Sequence, residues 1–87
     1  MKYRKKPVVI EAFRLGIDCI PDWFMDKVTS NDVTLVINQV GEVRCASIKT
    51  LEGTMTANVG DFVIKGVKGE LYPCKADIFY ATYEESE

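Results

Sequence analysis

The sequence contains no histidine, and this absence removes the side chain that most often acts as general acid–base or metal ligand in proteins. A serine–histidine or cysteine–histidine pair is therefore impossible, and nucleophilic catalysis would need a less usual base such as lysine. We expect a protein that is not an enzyme and that carries no cofactor.

Cysteine is the next residue type with reactive chemistry, and it occurs at Cys19, Cys45 and Cys74. A structural zinc site needs four ligands, and these widely spaced residues form no C-x-x-C knuckle. An odd number of cysteines at such spacing is not typical of a disulfide framework and fits a reducing cytosol. The pattern predicts three reduced thiols, mostly buried as small core side chains.

Carboxylates recur at Asp18, Asp22 and Asp26, an interval of four that places Asp22 and Asp26 on one face of a helix. Two such groups are candidates for a hard-cation site or an acid–base pair. No D-x-[DN]-x-[DN]-G calcium loop accompanies them, and we favour a solvated helix face. The glycines of residues 60–69 match neither phosphate-binding motif and are spaced as hairpin turns.

A basic arm is the first candidate binding surface. Arg4, Lys5 and Lys6, preceded by Lys2, are suited to phosphate, RNA or an acidic protein. A single interleaved aromatic residue, Tyr3, and the lack of a nucleic-acid motif argue against nucleic-acid binding.

The second candidate surface is Trp23 beside Phe24. One of these rings is expected to anchor a helix on the sheet. A partly exposed second ring would mark an interface, so Trp23 joins the basic arm as a candidate binding residue.

The elements that position these residues are one helix and a series of short strands. Residues 8–15 are rich in β-branched and aromatic types and predict the first strand. Pro21 and Asp22 suit the first turn of a helix of roughly two turns. The rest reads as strands separated by glycine turns, with a bulge between Cys45 and Ala46.

Two features near the end of the chain refine this scheme. A turn at residues 58–61 requires a positive φ at Gly60, and Pro73 predicts that the strand at residues 70–74 lies at a sheet edge or ends at the proline. One helical turn at residues 77–80 and a last strand at residues 81–84 follow. The sum is a single α+β domain over residues 1–87, with one short helix and a small, curled, mostly antiparallel sheet or partial barrel of six or seven strands.

Composition limits the class of partner. Eleven basic and 13 acidic residues give a net charge of −2, which provides no strong field toward nucleic acid or an anionic membrane. No apolar stretch reaches the length of a signal sequence or a membrane span. We therefore expect a soluble, cytoplasmic protein.

Three segments together resemble a family of small proteins from bacteriophages and prophages of Gram-positive bacteria. They are YRKKPVVIEAF at residues 3–13, IKTLEGTM at 48–55 and GDFVIKGVKGELYPC at 60–74, the last followed by Phe79 and Tyr83-Glu84. The resemblance covers roughly two-thirds of the chain. It implies a phage gene product that acts in the cytoplasm of a bacterial host, and it carries over neither an activity nor a catalytic residue.

Two functions remain open at this point. The first is a non-enzymatic accessory module that binds a host or phage protein and forms a homo-oligomer, since a thin core benefits from self-association. The alternative is a small module that binds an anionic ligand or a nucleotide in a cleft lined with lysine or arginine.

Overall fold

A computed structural model describes residues 1–3 and 8–85. The elements are β1 (Glu11–Arg14), α1 (Asp22–Thr29), β2 (Val33–Ile37), β3 (Val43–Thr50), β4 (Gly53–Asn58), β5 (Phe62–Lys65), β6 (Leu71–Cys74) and α2 (Ala76–Thr82). The strands form two antiparallel sheets, which we call sheet A, in the order β1-β5-β6, and sheet B, in the order β2-β3-β4. The predicted α+β class with six short strands is confirmed, in an arrangement that does not close into a barrel.

The hydrophobic core draws residues from every strand and from α1. Phe24 of α1 is fully buried and packs with core side chains from both sheets. Those side chains are Phe13, Leu15, Val33, Ala46, Ile48, Ala57, Val63 and Leu71. Burying a large apolar side chain contributes roughly 1.5–3 kcal/mol, so this cluster is the main source of stability.

Helix α1 begins and ends where the local chemistry predicts. Pro21 directly precedes it, and Asp22 lies in its first turn, where a carboxylate favours the helix dipole. At the other end, Asn31 adopts a left-handed φ of 68°, and its N–H donates to the Val28 carbonyl at 3.1 Å. Asparagine tolerates this conformation better than most residues, so it ends the helix.

Strand β1 is shorter than the predicted strand at residues 8–15. Its ladder with β5 starts at Glu11 opposite Lys65 and ends at Arg14 opposite Phe62. Gly66 follows Lys65 and begins a turn, in which its N–H donates to the Glu70 carbonyl. Residues 8–10 therefore have no opposing residue in β5 and lie outside the strand.

The predicted bulge is present but lies one residue earlier than expected. Val36 pairs with Cys45, and Ile37 pairs with Val43, so Arg44 is the extra residue in β3. The extra residue lets both Val43 and Ala46 pack on the core, although strict alternation would separate their faces.

The chain end differs from the prediction, because a second helix replaces the predicted last strand at residues 81–84. Helix α2 continues to Thr82, whose hydroxyl donates to the Ile78 carbonyl at 2.8 Å. The aromatic residues Phe79 and Tyr83 are four positions apart, a spacing that stacks them on one helix side. This packing overrides the β propensity of residues 80–83. No helix among the described residues is long and apolar enough to cross a membrane.

The turn chemistry is confirmed at both predicted positions. Gly60 has a φ of 94°, and its N–H donates to the Leu15 carbonyl at 2.9 Å. Pro73 lies in β6, an edge strand of sheet A, opposite Val63. A proline is tolerated there because its missing N–H would point away from β5.

Candidate functional site

A groove of about 1060 Å³ runs beside β1, and we call it the β1 groove. Residues 8–12 and Arg14 line one side, and Phe62 lies between the two sides. Helix α2 contributes Phe79 and Tyr80, and Glu84 and Glu85 follow from the chain end. The groove therefore brings together two distant parts of the sequence.

The main chain of β1 offers hydrogen-bonding groups to this groove. The Leu15 N–H donates to the Asp61 carbonyl at 2.9 Å, so Leu15 turns its polar groups toward the β5 side. Along an antiparallel strand, the main-chain N–H and C=O groups of successive residues point to opposite sides. The main-chain groups of Phe13 therefore also point toward β5, and those of Ala12 point outward. No described residue bonds to the N–H or C=O of Ala12 at this outer edge of sheet A.

The outer edge closes at Arg14. Its N–H donates to Asp18 Oδ2 at 2.9 Å, and its carbonyl accepts the N–H of Asp18 at 2.9 Å. The carbonyl also accepts the N–H of Ile17 at 3.2 Å. The turn at residues 15–18 therefore satisfies the outward groups of Arg14, whereas the outward groups of Ala12 have no partner in the described part of the chain.

An aromatic cluster forms the far wall of the groove. The Phe62 and Phe79 rings stack with centroids 3.8 Å apart and planes 7° from parallel. Tyr80 meets the edge of Phe62 at 5.3 Å, and 62% of Tyr80 is exposed. This wall offers an apolar surface with an accessible phenol at its rim.

Trp23 also borders the groove, and Phe24 is the ring that anchors α1 in the core. Trp23 is half-buried and meets the edge of the Phe13 ring at 5.6 Å between centroids. Lys65 Nζ lies 6.0 Å from the Trp23 ring centroid and 3.5 Å from Glu11 Oε2. These contacts hold the indole in place while leaving part of it accessible.

The described residues that line the β1 groove include more acidic than basic side chains. Glu11, Asp18, Glu84 and Glu85 contribute four carboxylates and Arg14 one guanidinium, and Glu11 is paired with Lys65 at 3.5 Å. Arg14 Nε donates to the Gly60 carbonyl at 2.8 Å, and the guanidinium carbon lies 5.7 Å from the Phe62 ring centroid. Arg14 is thus already engaged by the protein, and Asp18, Glu84 and Glu85 form no ion pair with another described residue.

Of the predicted binding residues, the structure places Trp23 at this groove. Arg4, Lys5 and Lys6 lie outside the described residues, and Lys2 and Tyr3 before them are exposed. The main-chain position at Ala12 and the wall residue Tyr80 were missed from the sequence. Neither carries a local signal, because an alanine in a strand and a tyrosine in a helix are ordinary residues.

The predicted burial of the cysteines is wrong for Cys19, which is exposed in the loop before α1. Cys45 and Cys74 are half-buried, and all three thiols are free. Burial, followed by the nearby Asp61 and Asp77 carboxylates, raises the pKa of the Cys74 thiol. This thiol is protonated at neutral pH and is a weak nucleophile.

The carboxylate pair Asp22 and Asp26 is exposed on α1, in agreement with a solvated face. Within residues 1–3 and 8–85, no three acidic or cysteine side chains come together as a potential metal site. The one buried carboxylate of this part of the chain, Asp61, accepts the Asn58 N–H at 3.0 Å and lies 3.5 Å from Lys75 Nζ. It therefore stabilises the turn before β5.

Comparison of the chain with protein-family models, curated proteins and solved structures finds no match. The resemblance to small phage proteins therefore stays a prediction from the three sequence segments. The geometry of the β1 groove is the firmest basis for a functional proposal.

Proposed function

We propose that this protein is a non-enzymatic module that binds an extended, basic segment of another protein in the β1 groove. The observation that carries the proposal is the outward-facing main chain of Ala12 at the edge of sheet A, next to the aromatic wall of α2. In this mode of recognition the bound segment adds a strand to an existing sheet.

The chemistry of the bound segment follows from the lining. Main-chain bonds to Ala12 give affinity without regard to sequence, and alternate side chains face the groove. Apolar side chains of the segment would contact the Phe62 and Tyr80 rings. Lysine or arginine side chains would approach Asp18, Glu84 and Glu85, because opposite charges steer and orient the partner.

The geometry also limits the strength of binding. The edge is short, since Asp18 already satisfies the outward N–H of Arg14. Few main-chain bonds can form, so the rim charges and the aromatic contacts supply much of the specificity. A modest affinity suits an accessory protein that engages its partner reversibly.

The biological setting is part of the same proposal. The resemblance to small phage and prophage proteins supports a role in the cytoplasm of a bacterial host, with a host or phage protein as partner. A second copy of this chain is the competing occupant of the β1 edge. Self-association at that edge would exclude the partner segment, so the two arrangements are separable by experiment.

Trp23 is the single tryptophan and borders the groove, so its fluorescence reports occupancy directly. We would titrate the protein with a short peptide of alternating valine and lysine, and with a matched peptide of valine and glutamate. The lysine peptide is expected to bind saturably, and its affinity is expected to fall when salt is added. The glutamate peptide is expected to bind at least tenfold more weakly.

Two variants test the groove itself. Ala12→Pro removes the outward N–H without breaking the β5 ladder, and it should abolish peptide binding while the fold persists. The double variant Glu84→Lys with Glu85→Lys should lower the affinity for the lysine peptide about tenfold. Asp26→Lys with Glu52→Lys, which changes the net charge equally at exposed sites outside the groove, is the control.

Sedimentation shows whether a second copy of this chain, and not the partner segment, occupies the edge of β1. Binding that is unaffected by Ala12→Pro, or a stable dimer that Ala12→Pro dissociates in the absence of peptide, would contradict the proposed partner segment.

A further inference from the structure

A second cavity, of about 630 Å³, opens where β6 of sheet A meets the β3–β4 hairpin of sheet B, and we call it the β6 cleft. Val33, Ile48 and Leu71 lie in its lining and are each more than nine-tenths buried, and Met55 and Pro73 add further apolar surface. The volume and the apolar lining are those of a small-molecule site. None of its lining residues borders the β1 groove.

The outer edge of β6 presents a main-chain donor to this cleft. The Gly66 N–H donates to the Glu70 carbonyl at 2.8 Å, which sets the alternation along the β5–β6 hairpin. Leu71 and Pro73 therefore turn their main-chain groups away from β5. Proline has no N–H, so the Leu71 N–H is the donor that remains on this edge within β6.

Two cations lie in the same lining, Lys27 from α1 and Lys49 from β3. The ion pairs among the described residues involve Lys65 and Lys75, so neither Lys27 nor Lys49 is paired with a carboxylate there. The lysine ammonium group is a compact point charge with three donors, and it attracts an anionic group.

The acidic residues of the lining restrict the ligand further. Asp32 Oδ2 accepts the Ser30 hydroxyl at 2.8 Å, and Glu70 Oε2 accepts the Lys68 N–H at 3.0 Å. Together with Glu52, these carboxylates would repel a polyanion such as a nucleoside triphosphate. A ligand with a single negative charge meets the lysines with less repulsion.

We propose that the β6 cleft binds a small amphipathic monocarboxylate. Its apolar body lies against Ile48, Met55 and Leu71, and its carboxylate accepts hydrogen bonds from Lys27 or Lys49 and from the Leu71 N–H. Burial of the apolar body supplies the main driving force. The lysines supply the selectivity for the negative head group.

Three probes with one chain and different head groups test this site: octanoate, octanol and octylamine. Chemical-shift mapping on the full chain is expected to place octanoate at the amides of Ile48, Met55 and Leu71. Octanoate should bind about fivefold more tightly than octylamine, with octanol between them. Octylamine binding as tightly as octanoate, or no saturable binding of octanoate at millimolar concentration, would overturn the proposal.

A pair of double variants distinguishes the contribution of the ligand's head group to binding from that of its alkyl chain. The double variant Lys27→Gln with Lys49→Gln should lower the affinity for octanoate about fivefold and leave the affinity for octanol unchanged. Lys2→Gln with Arg44→Gln removes the same charge from exposed positions outside the cleft and is the control. Octanoate affinity that survives the lysine substitutions, or shift changes that map to the β1 groove, would also overturn the assignment.

Discussion

The main-chain N–H of Arg14 donates to the Asp18 side chain at 2.9 Å, and the Asp18 N–H donates back to the Arg14 carbonyl at 2.9 Å. This reciprocal pair ends the open edge of β1. An open sheet edge is a template for pairing with other chains, and proteins commonly cover part of it. Under the proposed function, the closure at Arg14 confines strand addition to the positions around Ala12.

Replacing Asp18 tests this closure. Asp18→Ala should reduce the free energy of unfolding by about 1 kcal/mol, because the Arg14 N–H loses its acceptor in an exposed turn. Hydrogen exchange at the Arg14 amide should become faster. Asp18→Asn keeps an acceptor oxygen at the same place and should reduce the free energy of unfolding by less than Asp18→Ala does. Equal losses for the two variants would show that the carboxylate charge, and not the hydrogen bond, holds the turn.

Gly60 is predicted to be required for its backbone conformation alone. Its φ is 94°, and a Cβ added there would meet no atom within 4 Å. Gly60→Ala should therefore lower the free energy of unfolding by more than about 1 kcal/mol through strain, without a steric clash. Gly60→Asn should cost less, since asparagine visits positive φ more readily. Urea denaturation measures both, and a neutral alanine variant would contradict the argument.

Much of this fold was predictable where local chemistry decides it. Pro21 and Asp22 mark the helix start, Gly60 marks a turn, and Pro73 marks an edge strand, and the structure agrees at each. These residues act through a fixed φ, a missing N–H or a charge near a helix end. Such properties depend little on the rest of the chain.

The division into two sheets and the site were not predictable from the same patterns. Which strand lies at an edge depends on pairing between residues far apart, as between Ala12 and Ile64. The predicted strand at residues 81–84 failed because Phe79 stacks on Phe62 and draws the segment into α2. Ala12 became a candidate only once its outward direction was known.

The contact between α2 and sheet A rests on Phe79. Phe79→Ala should remove the stack on Phe62 and destabilise the protein by about 2 kcal/mol, with faster amide exchange throughout α2. Tyr80→Ala removes a more exposed ring of the same helix and should cost less. If the two variants cost the same, the ring stack is not what holds α2.

Alkaline stability should depend on Tyr72. Burial and hydrogen bonding with Tyr83 raise the pKa of Tyr72 from 10.0 to about 12. Between these values the unfolded chain loses this proton while the folded protein retains it, so the free energy of unfolding falls as pH rises through this window. Tyr72→Phe should show a shallower decline in denaturation series across this range. The Cys74 thiol, whose pKa burial also raises, adds to the decline in both proteins.

The most direct measurement of strand addition at β1 is hydrogen exchange at individual amides, with and without the valine–lysine peptide. The Ala12 N–H faces outward, whereas the Phe13 N–H faces β5, so the two neighbours form an internal comparison. If the peptide adds a strand in the β1 groove, exchange at Ala12 should slow at least tenfold while exchange at Phe13 changes little. Peptide binding that leaves Ala12 exchange unchanged, or that instead protects Leu71 at the edge of β6, would contradict the proposed function.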